Sequence, residues 1–173
     1  MPTIQYKTPG VYKEDVFPAP EFRLLTGVPA FLGFASRGPV NEPRRLTLWS
    51  QFVDTFGASL TNGYLASAVR GFFENSGAAC YIIGLDPAKA AAAALEQGLT
   101  ALDPVEEIDL LCAPDVMRSP QPGVQPDVNV VQEMQFALVS HCEKQGDRLA
   151  ILDALPNTPA DKVTVQRRGL QGR

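Results

Sequence analysis

The sequence has few of the residues on which metal sites and catalytic centres depend. Among 173 residues there is one histidine, His141, and there are three cysteines, Cys80, Cys112 and Cys142, with no CxxC pair. A zinc site needs three or four such ligands, and nucleophilic catalysis needs a base beside the nucleophile. We therefore predict no metal, no cofactor and no catalytic residues. We interpret the cysteines as reduced thiols of the core.

Charge is also sparse, and no long apolar run occurs. Charged residues make up 20% of the chain, and the net charge is −4. A negatively charged protein is unsuited to neutralising a phosphate backbone, so we expect no binding to nucleic acid. No uncharged apolar run approaches the roughly 18 residues of a membrane span, and the first residues are polar. We therefore expect synthesis in a cytosol and no direct membrane insertion.

What the sequence does contain is an alternation of apolar and amphipathic segments. Apolar runs predict strands at residues 28–35, 79–85, 108–112 and 148–152, and helical spacing predicts helices at residues 51–56, 64–75, 88–102 and 128–145. We expect Ser50 to cap the first helix and Asp86, followed by Pro87, to begin the third. This alternation predicts an α/β fold, a single domain with a mostly parallel sheet flanked by helices.

The first 22 residues differ from the rest and predict an extended N-terminal arm. Four prolines remove backbone donors there. In the strand pattern, Val11 and Phe17 fall on one side and Tyr12 and Val16 on the other. Such a segment has no single face to pack on its own domain, so it is suited to adding a strand to another sheet.

Charge is unevenly placed along the chain. Residues 161–173 hold four basic residues and one acidic residue. We separate this basic C-terminal tail from the α/β domain, residues 23–160, and from the arm, residues 1–22. The candidate interface charges are an acidic cluster and a basic pair: Glu106, Glu107, Asp109, Arg167 and Arg168. Each group is most often a solvated face, but in an assembly of copies the two groups can meet and set register.

One glycine pair has the spacing of a phosphate-binding loop. Gly33 and Gly38 follow a predicted strand, but Pro39 and Val40 stand where such a loop needs Lys and then Ser or Thr. An ordinary turn is the better interpretation, because a glycine followed by proline is typical of turns.

A second pattern that could indicate an active site is a set of carboxylates near the ends of predicted strands. Asp109, Asp115 and Asp153 lie at or just after predicted strands, and the proline-rich loop 114–126 follows the third strand. Ligands of α/β enzymes bind at such carboxyl ends, whereas the same residues also cap helices and begin turns. The lone His141 lies in the helical register of apolar residues, which indicates packing rather than catalysis.

Several segments, in order along the chain, resemble contractile tail sheath proteins. They are YKTPGVYKEDV (residues 6–16), GVPAFLG (27–33), RGPVNEP (37–43), FVDTFG (52–57), YLASAVRGFFEN (64–75), CYII (80–83), LCAP (111–114) and LAILD (149–153). The resemblance covers nearly the whole chain and is specific through residue 85. It implies a structural role and no enzymatic activity.

The resemblance implies a subunit of a contractile tail or injection-system sheath. Such subunits stack in rings around an inner tube, exchange strands through extended arms, and drive the tube through a membrane when the sheath contracts. The implied partners are other sheath subunits, the inner tube protein, and baseplate and terminator proteins, in a virion tail or injection particle assembled in the bacterial cytoplasm. The residues of the inter-subunit arm are then Tyr6, Pro9, Gly10, Val11, Tyr12 and Val16.

One departure from the family pattern concerns length. Family members continue through a further strand to a C-terminal domain and a second arm, whereas this sequence stops at Arg173. We therefore expect a truncated product, an excised domain or a reduced paralogue. Two alternatives stay open: a truncated relative that caps or regulates assembly, and a small α/β enzyme that uses the loop 114–126 and the strand-end aspartates.

Overall fold

The computed structural model describes residues 27–119, 121 and 124–170, and the predicted arm, residues 1–22, lies outside them. The strands are β1 (Pro29–Gly33), β2 (Arg44–Leu46), β3 (Cys80–Gly84), β4 (Leu110–Cys112) and β5 (Leu149–Ile151). The α-helices are α1 (Trp49–Phe56), α2 (Leu65–Glu74), α3 (Ala91–Ala101), α4 (Val128–Gln145) and α5 (Ala160–Gly169). A short 3₁₀ helix, Pro114–Met117, follows β4.

The strands form one sheet in the order β2-β3-β1-β4-β5. β1 pairs in parallel with β3 and β4, β4 pairs in parallel with β5, and only β2 is antiparallel to its neighbour. Leu111 lies between Ala30 of β1 and Ala150 of β5 in the register. The predicted α/β fold with a mostly parallel sheet is confirmed.

Helices cover both faces of the sheet. On one face α3 and α4 pack on side chains of β1, β3 and β4, and the buried centre of this layer is Leu32, Ile83, Leu95, Leu111, Met134 and Leu138. On the other face α1 and α2 pack on Phe31, Ile82, Phe52, Phe56, Leu65 and Val69. Strands β1 and β3 are buried on both faces, which explains their nearly continuous apolar sequence.

The longest helix, α4, has the bounds that the sequence predicts. The side chain of Asp127 accepts a hydrogen bond from the backbone N–H of Asn129 at 2.9 Å. At the other end Gly146 adopts a left-handed conformation, φ 73°, and its N–H donates to the carbonyl of Cys142. Both ends are set by a capping residue next to the helix, and such local signals are visible in the sequence.

Two expected caps are wrong. Ser50 lies inside α1, where the side chain of Gln51 instead accepts hydrogen bonds from the backbone N–H groups of Thr47 and Leu48. Asp86 accepts from the N–H of Ala88 at 3.0 Å and forms a turn, so that α3 begins only at residue 91. Short polar side chains stabilise such turns as readily as they cap helices.

Three elements were not predicted. The antiparallel strand β2 contains two exposed arginines, Arg44 and Arg45, which hide its strand pattern. The 3₁₀ helix occupies the start of the expected loop 114–126. Helix α5 lies in the expected basic tail. None of its residues is buried, and its sequence has no apolar stripe from which a helix could be predicted.

Every helix in the described part of the chain is too short or too polar to span a lipid bilayer.

Removal of the α4 cap tests the local origin of this helix. We expect Asp127→Ala to lower the free energy of unfolding by about 1 kcal/mol, because the first turn loses a side-chain acceptor. Asp127→Asn keeps the acceptor and is the matched control. Urea unfolding followed by circular dichroism measures both, and equal stability of the Ala and Asn variants would contradict the assignment.

Candidate functional site

The carboxyl edge of the sheet contains a groove at a topological switch point. The chain passes from β1 to β3 over one face of the sheet, by way of α1 and α2, and from β3 back past β1 to β4 over the other face, by way of α3. Ligands of α/β proteins bind where strand order reverses in this way. The groove has a volume of about 530 Å³ and is lined by Phe34, Lys89, Asp115, Arg118, Val131 and Met134, among others. If the chain were an enzyme, this groove is where the sequence predicts its active site.

The carboxylate of Asp115 is the most constrained polar group of this edge. The side chain is 3% exposed and accepts hydrogen bonds from the N–H of Phe34 at 2.7 Å and from the N–H of Tyr64 at 2.6 Å. It therefore joins the end of β1, the start of α2 and the 3₁₀ helix after β4. A Cβ on Gly33 would lie 2.6 Å from its Oδ2 and 2.8 Å from the Cβ of Leu65, so this contact requires glycine there.

These bonds leave Asp115 little capacity for chemistry. Burial raises the pKa of its carboxyl group, while the two backbone donors and nearby Arg118 oppose that rise. Each of its two oxygens accepts from a main-chain group of the fold. We conclude that the role of Asp115 is structural: its carboxylate holds the backbone of three segments together, and we refer to this set of hydrogen bonds as the Asp115 tie.

The other two strand-end aspartates do not join it. Asp109 precedes β4, at the amino edge of the sheet, and accepts from the N–H of Gly27. The expectation that it ends a strand is wrong, because β4 begins only at Leu110. Asp153 is exposed on the segment after β5. The three carboxylates therefore form no common site.

The glycine pair that resembles a phosphate loop forms a turn against the end of α1, as predicted. Gly38 has a φ of 101°. The side chain of Arg37 donates to the carbonyls of Val53 at 3.1 Å and Asp54 at 2.8 Å, and Ser36 donates to that of Phe56 at 3.0 Å. The turn therefore faces a helix C-terminus, whose partial negative charge is unsuited to phosphate.

His141 is packed, as predicted, and its neighbour Arg148 was missed. His141 is 8% exposed, and its Nε2 lies 3.5 Å from Nη1 of Arg148. The guanidinium of Arg148 binds both carboxylate oxygens of Asp147, at 2.6 and 3.0 Å, and donates to the carbonyls of Leu102 and Val105 after α3. An arginine at the start of a strand is usually exposed, so the sequence carries no signal for this role.

The three cysteines are free thiols with different exposure. Cys80 is buried, and Cys112 and Cys142 are half-buried. Burial raises the pKa of Cys80 to about 12 and that of Cys112 to about 11, which keeps both thiols protonated and unreactive at neutral pH. In the ranges that the structure describes, no cluster of three His, Cys, Asp or Glu side chains is arranged to hold a metal ion.

The candidate interface charges lie in two separate places. Glu107 is engaged within the chain, because it accepts from Arg45 Nε at 3.2 Å and from the hydroxyl of Tyr81 at 3.1 Å. Glu106 is exposed beside it. Arg167 and Arg168 are exposed in the last turn of α5. Among the described residues no ion pair joins the acidic group to the basic pair.

Within the described residues, the two edges of the sheet differ: β2 is charged, and β5 has no further strand beside it. Strand β2 carries Arg44 and Arg45, which pair with Glu42 and Glu107, and charged side chains of this kind discourage pairing with other strands. At the opposite edge, strand β5 exposes Leu149 by 71% and Ile151 by 46%. The apolar run at residues 148–152 predicts this strand but does not indicate that it lies at an edge.

The apolar side chains of β5 continue a strip of the sheet over which none of the described helices packs. Leu149 is in register with Leu110, and Ile151 with Cys112, so the four lie on one face, and both β4 residues are half-buried. Helices α1 and α2 cover the same face over β1, β2 and β3. We refer to Leu110, Cys112, Leu149 and Ile151 as the β5 strip.

The other face of β5 borders a second groove, formed with α5. Gln166 links this helix to the body: it accepts from the N–H of Leu155 at 3.1 Å and donates to the side chain of Gln135 at 3.0 Å and to the carbonyl of Asp153 at 3.3 Å. The groove has a volume of about 300 Å³. Its lining includes Ala150, Leu152, Asp153, Val163, Arg167 and Leu170. We refer to it as the α5 groove.

Comparison with known proteins gives similarity at the level of structure. No protein-family model and no curated protein matches the chain. One similar solved structure is the helical sheath of the anti-feeding prophage (AFP) in the contracted state, with a TM-score of 0.57 and 22% identity over 90% of this chain and 42% of that chain. Another is the AFP baseplate in the contracted state, with a TM-score of 0.60 and 26% identity over 93% of this chain and 43% of that chain. The chain spans less than half the length of both.

Replacement of Asp115 tests whether its role is structural. We expect Asp115→Ala to lower the free energy of unfolding by roughly 2 to 4 kcal/mol, because two buried N–H groups lose their acceptor. Asp153→Ala, at an exposed carboxylate, is the control and is expected to stay within about 0.5 kcal/mol of the wild type. Chemical denaturation measures both, and an Asp115→Ala variant as stable as the control would show that the tie is dispensable.

The pH dependence of stability tests the burial of His141. Burial first, and Arg148 second, lower the pKa of the histidine, so below its ordinary value of about 6.5 the unfolded chain takes up a proton that the folded chain resists. The free energy of unfolding should therefore fall between pH 7.5 and 5.5 relative to His141→Gln. The raised pKa of Asp115 acts with the opposite sign in both proteins, so the difference between their urea-unfolding curves isolates His141. Parallel pH profiles would contradict this assignment.

Proposed function

We propose that the chain is a structural subunit of a contractile sheath. The observation that carries the proposal is the likeness, over 90% and 93% of the chain, to chains of the AFP sheath and baseplate. Both belong to one contractile particle, and this likeness supports a structural component of a contractile injection system. The absence of converging catalytic groups around Asp115 in the described residues agrees with a role in assembly.

The choice of sheath over baseplate is the finer part of the proposal. Its support is the order of sheath-like segments near the start of the chain, residues 6–16, 27–33 and 37–43. The two solved structures give similar TM-scores and identities, so structural likeness does not favour either assembly. In the proposed role the subunits surround an inner tube, contact baseplate and terminator proteins, and shorten as a lattice.

Strand exchange through the arm would keep subunits connected during such a change. Residues 4–17 have the alternating pattern of a strand, and each inter-subunit backbone hydrogen bond contributes roughly 1 kcal/mol net. Five such bonds contribute only a modest binding free energy between two subunits, but this contribution is repeated at every subunit of a lattice. An extended segment of twenty residues reaches at most about 65 to 70 Å, enough to cross to an adjoining subunit.

The interface charges are proposed to set register in the lattice. Arg167 and Arg168 of one subunit would face acidic side chains of the next, of which Glu106 is exposed. Glu107 and Asp109 are the weaker members of this set, because Glu107 already bonds Arg45 and Tyr81, and the half-buried Asp109 accepts from Gly27. Exposed pairs contribute little stability, so their role would be orientation.

A cap or regulator of assembly is the second candidate function. The exposed apolar side chains at the β5 edge favour it, because they offer a surface through which the chain could bind an assembly on one side. The enzyme alternative has lost its main support, since Asp109, Asp115 and Asp153 lie apart.

Removal of the arm tests the proposed function. The variant replaces residues 4–17 by a Gly/Ser segment of equal length, which keeps the reach of the chain but removes the strand-forming side chains. We expect a folded monomer by circular dichroism and light scattering, where the wild type forms stacked rings or tubes in negative-stain images.

The images also separate the alternatives. Stacked tubes from the wild type favour the sheath, single closed rings favour a baseplate-like component, and a stable complex that adds no further subunits favours the cap. Assembly of the Gly/Ser variant to the same extent as the wild type would refute strand exchange.

A further inference from the structure

The groove at the carboxyl edge of the sheet is lined by apolar side chains from the strand, the 3₁₀ helix and α4. Phe34, Val131 and Met134 belong to the buried layer between the sheet and helices α3 and α4, and each also borders the groove. Val130, on the α4 wall, is 37% exposed. The volume of about 530 Å³ is within the range of clefts that bind ligands. The groove therefore has room for a large apolar side chain of a partner.

A guanidinium group lies against this apolar lining. Arg118 follows the 3₁₀ helix, and its Cζ lies 5.1 Å from the centroid of the Phe34 ring, which is the geometry of a cation–π contact. Stacking on a ring orients the flat group and leaves its N–H donors at the rim. Within the ranges that the structure describes, no carboxylate forms an ion pair with Arg118. A group held in this way can bind an incoming carboxylate through two parallel hydrogen bonds.

A second cation and the start of a helix border the same groove. Lys89 donates to the side chain of Gln97 at 2.5 Å, and this neutral acceptor leaves the charge of the lysine uncompensated. Ala91, the first residue of α3, also lines the groove, and no side chain caps that helix. The backbone N–H groups of its first turn therefore add partial positive charge to that of the two side chains.

The two acids of the lining are committed to the fold. Asp115 accepts from two main-chain N–H groups, and Asp127 accepts from that of Asn129 at the start of α4. The side-chain donors that remain for a ligand belong to Arg118 and Lys89, beside an apolar surface. The groove is thus complementary to a carboxylate that is attached to an apolar group.

The shape of the site favours a protein segment over a small free acid. Small ligands usually lie in clefts that bury about 70 to 90% of their surface, whereas Lys89 and Val130 leave this groove open on the solvent side. A second groove of about 270 Å³ shares Ser119 and Pro126 with the first. Its lining includes hydroxyl and amide side chains: Thr61, Asn62, Gln121 and Gln125. An extended chain can place its peptide groups among these while its side chains occupy the first groove.

We propose that the two grooves bind an extended segment of a partner protein in which an acidic residue lies next to a large apolar one. The carboxylate would bind Arg118 and Lys89, and the apolar side chain would pack on Phe34, Val130 and Met134. This inference goes beyond the proposed function and does not depend on it. It gives the groove at the switch point a role in recognition, for which the committed carboxylate of Asp115 is no obstacle.

Binding of short peptides to the full chain tests the proposal. The probe is acetyl-Gly-Glu-Phe-Gly-amide, and the matched peptides replace its Glu by Gln or its Phe by Ala. Saturation-transfer NMR observes the peptide, so it works whether the protein is monomeric or assembled. We expect the phenyl ring to receive the strongest saturation. Both matched peptides should bind about tenfold more weakly, because one loses charge-assisted hydrogen bonds and the other loses apolar contact.

Substitutions in the protein assign the contact to the groove. We expect Arg118→Gln to weaken the Glu peptide about tenfold and to abolish its advantage over the Gln peptide, which a general loss of structure would not do selectively. Val130→Glu should also weaken binding, by repulsion, and an acid in the first turn of α4 is compatible with a stable helix. Arg70→Gln removes the same charge from the exposed pair with Glu74 on α2 and should bind like the wild type. Circular dichroism verifies the folding of each variant.

The other occupants are outcomes of the same experiment. Equal binding of the Glu and Gln peptides would overturn the role of the cations. Binding of 3-phenylpropionate as tight as that of the peptide would indicate a small acid and overturn the segment. Peptide binding seen only with the Gly/Ser variant of residues 4–17 would identify the chain itself as the occupant and overturn a partner site.

The result is independent of the sheath proposal. Tubes formed by a wild type that binds none of the peptides would overturn this inference and leave the sheath proposal standing. Selective binding of the Glu peptide by a chain that forms no tubes would support this inference while the proposed function fails.

Discussion

The described structure depends on one buried carboxylate at the carboxyl edge of its sheet. Asp115 accepts from the backbone of Phe34, which follows β1, and from that of Tyr64, which precedes α2. These segments are 81 and 51 residues from Asp115 in sequence. Two charge-assisted bonds in a dry environment are strong, and they hold the central strand, a helix and the 3₁₀ helix together. Gly33 makes this possible because it leaves room for the carboxylate.

This tie occupies the position where related sheet topologies place ligands. A switch point between β1 and β4 normally opens a crevice, and here its most buried acid is committed to the main chain. Arg148, at the amino ends of the strands, is likewise committed to the fold: its guanidinium donates to carbonyls after α3 and to the carboxylate of Asp147. Polar groups that could serve catalysis are thus used to hold the layers of the fold together.

The two edge strands of the sheet, β2 and β5, differ in their chemistry. The charged edge at β2 discourages pairing, while β5 at the opposite edge presents exposed apolar side chains. Contact with another strand is therefore disfavoured at β2 and compatible with the apolar surface at β5.

The sequence alone determined the class of fold and the bounds of α4, because apolar runs, Asp127 and Gly146 act on residues within a few positions of themselves. Tertiary structure decided the rest. Asp115 and Arg148 bind groups more than 40 residues away, so neither their burial nor their partners leave a local pattern. Helix α5 buries no residue and β2 presents arginines, so both lack the periodicity that predicts an element. Whether β5 is an edge depends on strand order, which no single segment encodes, because it follows from the packing of all the helices on the two faces of the sheet.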